Sequence, residues 1–237
     1  MSDDSKAADG ASIPSPIEAG HWPQHLAAHV ITPGPRPRVH GFDVEGDLAR
    51  HYGFADLVLL ALTGELPEDA VGRAFDIALT FLAPVAVTEA ATHAAVLARI
   101  CAGNASAVIA TATIGLAEQA RWTLAKHAEL LTWLANDTTA LPVSARSLGD
   151  EDRAAVVRLR AALGAHVTLA PALAEDLSRE AAAIIALHAC GLRNAEHIEL
   201  ALVLARLPCT FSEALAAKRA GLRSYPMDVP HFAYEEP

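Results

Sequence analysis

The sequence predicts an all-α protein, and three observations carry that expectation. Of 237 residues, 52% are hydrophobic but only 5% are aromatic. The core must therefore be built from Ala, Leu, Val and Ile, whose small side chains let helix axes approach closely. Segment after segment is bounded by Gly, Pro or a capping residue at helical length. No segment shows the strict apolar–polar alternation of a half-buried strand.

Taken in order, residues 1–38 are rich in Pro, Gly, Ser and Asp and read as a flexible N-terminal arm. Within it, "ITPGPRPRV" should be extended or polyproline-like, because its prolines fix φ and block a helix. "GDLARHYG" (46–53) reads as one short helix between glycines. "FADLVLLALTG" (54–64) follows, with Gly64 as its C-terminal stop. In "ELPEDAVGRAFDIALTFLAP" (65–84), Pro67 opens a helix, acidic residues favour its first turn and Pro84 ends it. "VTEAATHAAVLARICAG" (87–103) has Thr88 as N-cap and Gly103 as stop. Asn104 or Ser106 then caps a long helix expected to reach about Ala135. Its first part, Ala105–Leu116, is small and apolar almost all round, as in a helix buried on every side. "NDTTALPVSARSLG" (136–149) is a loop. "DEDRAAVVRLRAALG" (150–164) is amphipathic, with Val156, Leu159 and Leu163 on one face. Three more helices are expected in "LAEDLSREAAAIIALHACG" (173–191), "NAEHIELALVLARLP" (194–208) and "FSEALAAKRAGL" (211–222). The tail, "RSYPMDVPHFAYEEP", holds three prolines and should be irregular.

Charge and cysteine usage exclude several classes. The formal net charge is −10, and no basic stripe suggests nucleic acid. The longest apolar runs fall short of the roughly 20 residues that span a bilayer. Cys101, Cys190 and Cys209 are odd in number, far apart and set among apolar residues, as reduced thiols of a cytoplasmic protein are. The acidic start MSDDSKAADG is not a secretory signal. There is no phosphate-binding loop, no G-x-G-x-x-G, no G-x-S-x-G and no C-x-x-C.

Several polar groups could carry chemistry. His188, Cys190, His197 and Glu199 form the densest set of metal-ligand types, but a turn at Gly191 divides them and their spacing fits no zinc pattern; no metal site is expected. Glu118 and Arg121, three apart, make an intrahelical ion pair the simpler reading, with His127 and Glu129 beyond them. Arg153, Arg158 and Arg160 suit either an anionic ligand or a solvated helix face.

"VHGFDVEGDLARHYGFADLVLLALTGELP" (39–67) resembles the citrate synthase family. The elements that match are Gly41-Phe42-Asp43, Asp47-Leu48, the Phe54–Leu62 helix and Gly64-Glu65-Leu66-Pro67. "AATHAAVLARICAG" and "LALVLARLP" are similar to later family helices that end in Ala-Arg, and the short length is closest to citryl-CoA lyase. The resemblance implies an all-helical fold: a large domain over 39–135 and 176–237, and a reduced small, lid-like domain over 136–175. It implies a homodimer, or a heterodimer with a paralogue. It implies carbon–carbon bond formation or cleavage between an acetyl-CoA unit and a keto acid such as oxaloacetate. A CoA thioester is then the candidate substrate, with no covalently bound cofactor.

Carried over position by position, the family's first catalytic His falls on Glu118 and its catalytic Asp on Glu180. The second catalytic His falls on Ser144. The substrate-clamping arginines fall on Arg153 and Arg206, and a further His on Glu213. Glu118 and Glu180 are therefore the expected catalytic groups, and Arg153 and Arg206 the expected carboxylate-binding groups. With both imidazoles replaced, two readings stand: an enzyme with altered catalytic groups, or a non-catalytic subunit beside an active paralogue.

Overall fold

A computed structural model describes residues 27–136, 141–147, 149–164, 166 and 176–219. Most of the expected arm, part of the 136–175 stretch and all of the tail lie outside the described residues. The described chain is built of helices, as expected. They are α1 (Ala49–His51), α2 (Phe54–Thr63), α3 (Asp69–Leu82), α4 (Ala90–Ile100), α5 (Ala105–Lys126), α6 (Ala128–Asn136), α7 (Asp150–Leu163), α8 (Arg179–Ala189) and α9 (Ala195–Ala216). None is long and apolar enough to cross a membrane.

One small sheet precedes them. Strands β1 (Ile31–Thr32), β2 (Arg38–Val39) and β3 (Phe42–Asp43) pair antiparallel in the order β1-β2-β3. Two-residue strands are too short to show alternation, so they left no trace in the sequence pattern. The β2–β3 turn takes His40 at φ 46° and Gly41 at φ 88°, the positive values that a tight two-residue hairpin needs at both positions. A π-helical turn, Val44–Leu48, leads from Asp43 into α1, and the Asp43 carboxylate accepts from Gly46 N.

The helix ends follow local chemistry. Gly64 closes α2 in the left-handed region at φ 79°. Asn104 and Ser178 cap α5 and α8 through their side chains. The N-cap of α4 is Glu89 rather than Thr88, because the Glu89 side chain turns back to the Ala86 N–H at 2.9 Å. Two predicted lengths are corrected. The long helix stops at Lys126; His127 (φ −104°, ψ 24°) leaves the helical region and α6 restarts at Ala128. No Gly or Pro marks this break, which coincides with burial of the His127 ring. Conversely, α9 runs straight through Pro208. Both of its halves bury residues, Ala201–Val203 before the proline and Thr210 and Ala214 after it. That burial offsets the roughly 3 kcal/mol a helix-interior proline costs.

The core joins α3, α7, α8 and α9, with Phe75, Leu159, Ile184 and Ile198 fully enclosed. The predicted face Val156, Leu159, Leu163 is buried in it. The helix buried all round is α8, where every residue from Ala181 to Leu187 is inside. By contrast α5 is buried on one side only. Val108, Ala112, Leu116 and Ala120 are enclosed, whereas Ile114 and Trp122 are 66% and 62% exposed.

Helices α4, α5 and α9 pack together through small residues. A Cβ on Gly115 of α5 would lie 2.9 Å from Ala91 Cα of α4, so that crossing exists only because Gly115 has no side chain. Thr92 and Thr210 share a buried hydroxyl contact of 3.4 Å between α4 and α9. Gly115→Val should force α4 and α5 apart and lower stability by about 1–3 kcal/mol; urea denaturation of wild type and variant at the same pH measures it.

Candidate functional site

The helix pattern that buries one side of α5 also builds a cleft. Leu116, Ala120, Thr123 and His127 recur at 3–4 spacing and face inward. Gln119 lies on this side, beside Leu116 and Ala120. The cleft encloses about 320 Å³ and lies among the ends of α3 and α4, the middle of α5, the start of α8 and the middle of α9. Its walls carry four charged side chains, Glu89, Arg179, Glu180 and Arg206, together with Gln119.

One wall is a half-buried carboxylate cluster. Glu89 Oε1 accepts from Ala86 N at 2.9 Å, and Oε2 accepts from Gln119 Nε2 at 3.1 Å and from Arg206 Nη2. Partial burial opposes ionisation of Glu89, but the Gln119 and Ala86 hydrogen bonds and the Arg206 guanidinium outweigh it and hold its carboxyl below the usual range. Two polar atoms here are enclosed and without a partner among the described residues: Gln119 Oε1 and Arg206 Nε.

A neighbouring wall is centred on Glu180, in the first turn of α8. Its Oε2 receives Lys126 Nζ at 2.7 Å and His127 Nε2 at 3.2 Å. The His127 side chain is wholly buried, and its Nδ1 has no partner among the described residues. The His127 hydrogen bond, then Lys126, overcome burial and pull the Glu180 carboxyl down to about 2. Beside it, Arg179 donates from Nη2 to Phe81 O at 2.9 Å and lies over the Phe81 ring at 4.7 Å. Among the described residues Arg179 has no carboxylate partner.

The cleft thus gathers two of the four residues expected from sequence, Glu180 and Arg206. Glu118 points away: it is 66% exposed and pairs with Arg121 at 2.9 Å along the outer face of α5, so it is Gln119 that lines the cleft. Arg153 sits on α7 and pairs with Asp150 at 3.3 Å, away from the cleft lining. Ser144 donates to Glu129, and Glu213 is on the exposed side of α9. Glu89, Gln119 and Arg179 are not singled out as site residues by sequence reasoning, and His127 enters only as one of the polar groups beyond Glu118 and Arg121. For Gln119 and His127 a signal existed, since both fit the inward spacing of Leu116, Ala120 and Thr123.

Elsewhere, burial pushes the Cys190 thiol up to about 12, which leaves it inert. The His188 imidazole is held below its usual value by burial and by Arg193, whose Nη1 lies 3.3 Å from Nε2. Among the described residues no three His, Cys, Asp or Glu side chains converge as metal ligands would.

Because folding depresses the Glu180 pKa, its contribution to stability is present above about pH 4.5 and is lost as pH falls toward about 2. His127→Phe keeps the ring volume and removes the N–H. The stability of this variant should fall less steeply between pH 4.5 and pH 2 than that of wild type. Urea unfolding across that range measures the slope, and an unchanged slope would deny His127 this role.

No protein-family profile and no curated protein matches the chain in sequence. Solved structures do. Citryl-CoA lyase from Hydrogenobacter thermophilus superposes with a TM-score of 0.65 at 13% identity, over 90% of this chain and 96% of that one. ATP citrate lyase from Methanothrix soehngenii, in complex with citrate and coenzyme A, gives 0.57 at 14% identity. A mutant ATP citrate lyase from Methanosaeta concilii, in complex with (3S)-citryl-CoA, gives 0.61 at 14% identity. Both ATP citrate lyase matches cover 91% of this chain but only 42% of theirs. At such low identity the likeness speaks for the fold alone: this chain has the helical, citryl-CoA lyase-like fold that its sequence resembles.

Proposed function

We propose that the chain is a citrate synthase/citryl-CoA lyase-like protein that binds a di- or tricarboxylate, free or as its CoA thioester, in this cleft, and that it does not carry out the family's carbon–carbon chemistry alone. It would act as a non-catalytic partner subunit beside an active paralogue. The observation that carries this reading is the state of Glu180. Removal of a methyl proton needs a base whose pKa lies near the working pH. The Glu180 Oε2 already takes Lys126 Nζ and His127 Nε2, and a carboxylate engaged by both and held by them below the usual range is a weak base. Ligand binding is supported by the two guanidiniums in the cleft, Arg179 and Arg206, which suit carboxylates.

A second reading keeps catalysis, with Glu180 as base and Arg206 as clamp. It is supported by the fold and by the presence of both residues in one cleft. Measuring CoA release from acetyl-CoA plus oxaloacetate, and cleavage of citryl-CoA, separates the two. The first reading expects neither reaction from the purified chain alone, and expects activity to appear with a paralogue. Turnover by the chain alone, abolished in Glu180→Gln, would establish the second.

The dimer belongs to the same proposal. The outer face of α5 presents Ala107, Ala110 and Ile114 at 3–4 spacing, and Trp122 further along beyond the Glu118–Arg121 pair, with Ile114 and Trp122 largely exposed. A second copy, or the paralogue, laid along this face would bury them at roughly 25 cal/mol per Å² of apolar surface. Light scattering at micromolar concentration should give twice the chain mass for the pure chain if the partner is a second copy. Ile114→Glu should then return it to monomer.

A further inference from the structure

The Glu89 cluster has the composition of a bound ligand. A carboxylate lies against a guanidinium, a side-chain amide and a backbone N–H, and all three donate to it. This donor set is what a protein assembles for a substrate carboxylate. Here the carboxylate belongs to the protein, at the start of α4, where its own helix does not need it. The first-turn N–H groups of α4 receive no side-chain cap from Glu89; one carboxylate oxygen holds the Ala86 N–H ahead of the helix, and the other is turned to Gln119 and Arg206 in the cleft.

The grip is also incomplete. Glu89 engages Arg206 through Nη2, while the Arg206 Nε–H beside it is enclosed and unpartnered among the described residues. The Gln119 Oε1 is likewise enclosed and unpartnered. A guanidinium binds a carboxylate best through two parallel N–H donors. An incoming carboxylate that takes both Nε and Nη2 gains a bond Glu89 does not make. Glu89 therefore fills the position without using all of its hydrogen-bonding capacity.

We propose that Glu89 is an internal occupant of a carboxylate subsite centred on Arg206, and that a ligand carboxylate binds by displacing it from the guanidinium and from Gln119. The proposal rests on the reading of the cleft as a carboxylate-binding site. It adds that the site is closed to weak anions by the protein's own side chain. Simple monocarboxylates, with a single carboxylate to set against the tethered one of Glu89, do not compete. A di- or tricarboxylate that also reaches Arg179 on the neighbouring wall does. Selectivity for polycarboxylates then comes from the need to expel Glu89.

The probe is citrate, with acetate as the monocarboxylate control, titrated calorimetrically into wild type, Glu89→Ala and Glu89→Gln. Glu89→Ala should bind citrate about tenfold or more tighter than wild type, since the ligand no longer competes for a charged donor. It should also acquire measurable acetate binding. Glu89→Gln, which keeps the shape and loses the charge, should gain in the same direction; it decides the matter if the alanine variant does not fold. Without citrate, Glu89→Ala should melt lower than wild type, because Arg206 is left unpaired, and citrate should restore it. The gain should vanish in Glu89→Ala combined with Arg206→Gln. Citrate binding by wild type that neither Glu89 variant improves would overturn the proposal while leaving the carboxylate reading intact. A gain that survives loss of Arg206 would overturn it too. Absence of citrate binding from all the folded proteins would overturn both.

Discussion

The bond from His127 to Glu180 is the constraint on which the cleft depends. An imidazole with no solvent exposure must find its hydrogen bond inside the protein, and this one finds it on the first turn of α8. Satisfying it takes the backbone out of the helix at residue 127, ends α5 and lets α6 turn away. The same bond anchors the start of α8, whose next seven residues are the most deeply buried run in the described chain. One polar contact thus ties the end of the long helix to the first turn of α8 and sets how Glu180 faces the space between them.

The remaining geometry comes from what is small. Gly115 and Ala91 let α4 and α5 approach almost backbone to backbone, which brings Glu89, at the start of α4, within reach of Gln119 on α5 and Arg206 on α9. Larger residues at that crossing would widen it and separate the three. A nearly all-aliphatic core of small residues is therefore also the means by which charges on three helices meet. Each wall then settles its own electrostatics, with a carboxylate held against cations that came from a different helix.

The sequence made the fold readable because its helices end on local signals. Gly64, Pro84, Asn104 and Ser178 act through their own backbone or side chain, and the segments they delimit are helices in the structure. It misled where the deciding interaction was distant. The break at His127 depends on Glu180, 53 positions away. The passage of α9 through Pro208 depends on packing against other helices. The site was half legible for the same reason. Arg206 and Glu180 lie on segments whose resemblance to known helices could be followed. Glu118 was placed by alignment at a position where helix rotation turns the side chain outward, and the neighbouring Gln119 inward. One residue of register is about 100° around a helix, enough to exchange solvent for cleft.

Trp122 gives the exposed face of α5 a further property. Its indole stands in solvent, with Lys126 Nζ 5.4 Å from the ring centre, and the same Nζ reaches Glu180 in the cleft. Indole emission moves to shorter wavelength when water is withdrawn from the ring. With Trp22 and Trp133 replaced by Phe, the chain would carry an optical gauge of whatever covers this face, on the same helix that lines the cleft. Through it, events on the two sides of α5 can be timed against each other without attaching a label.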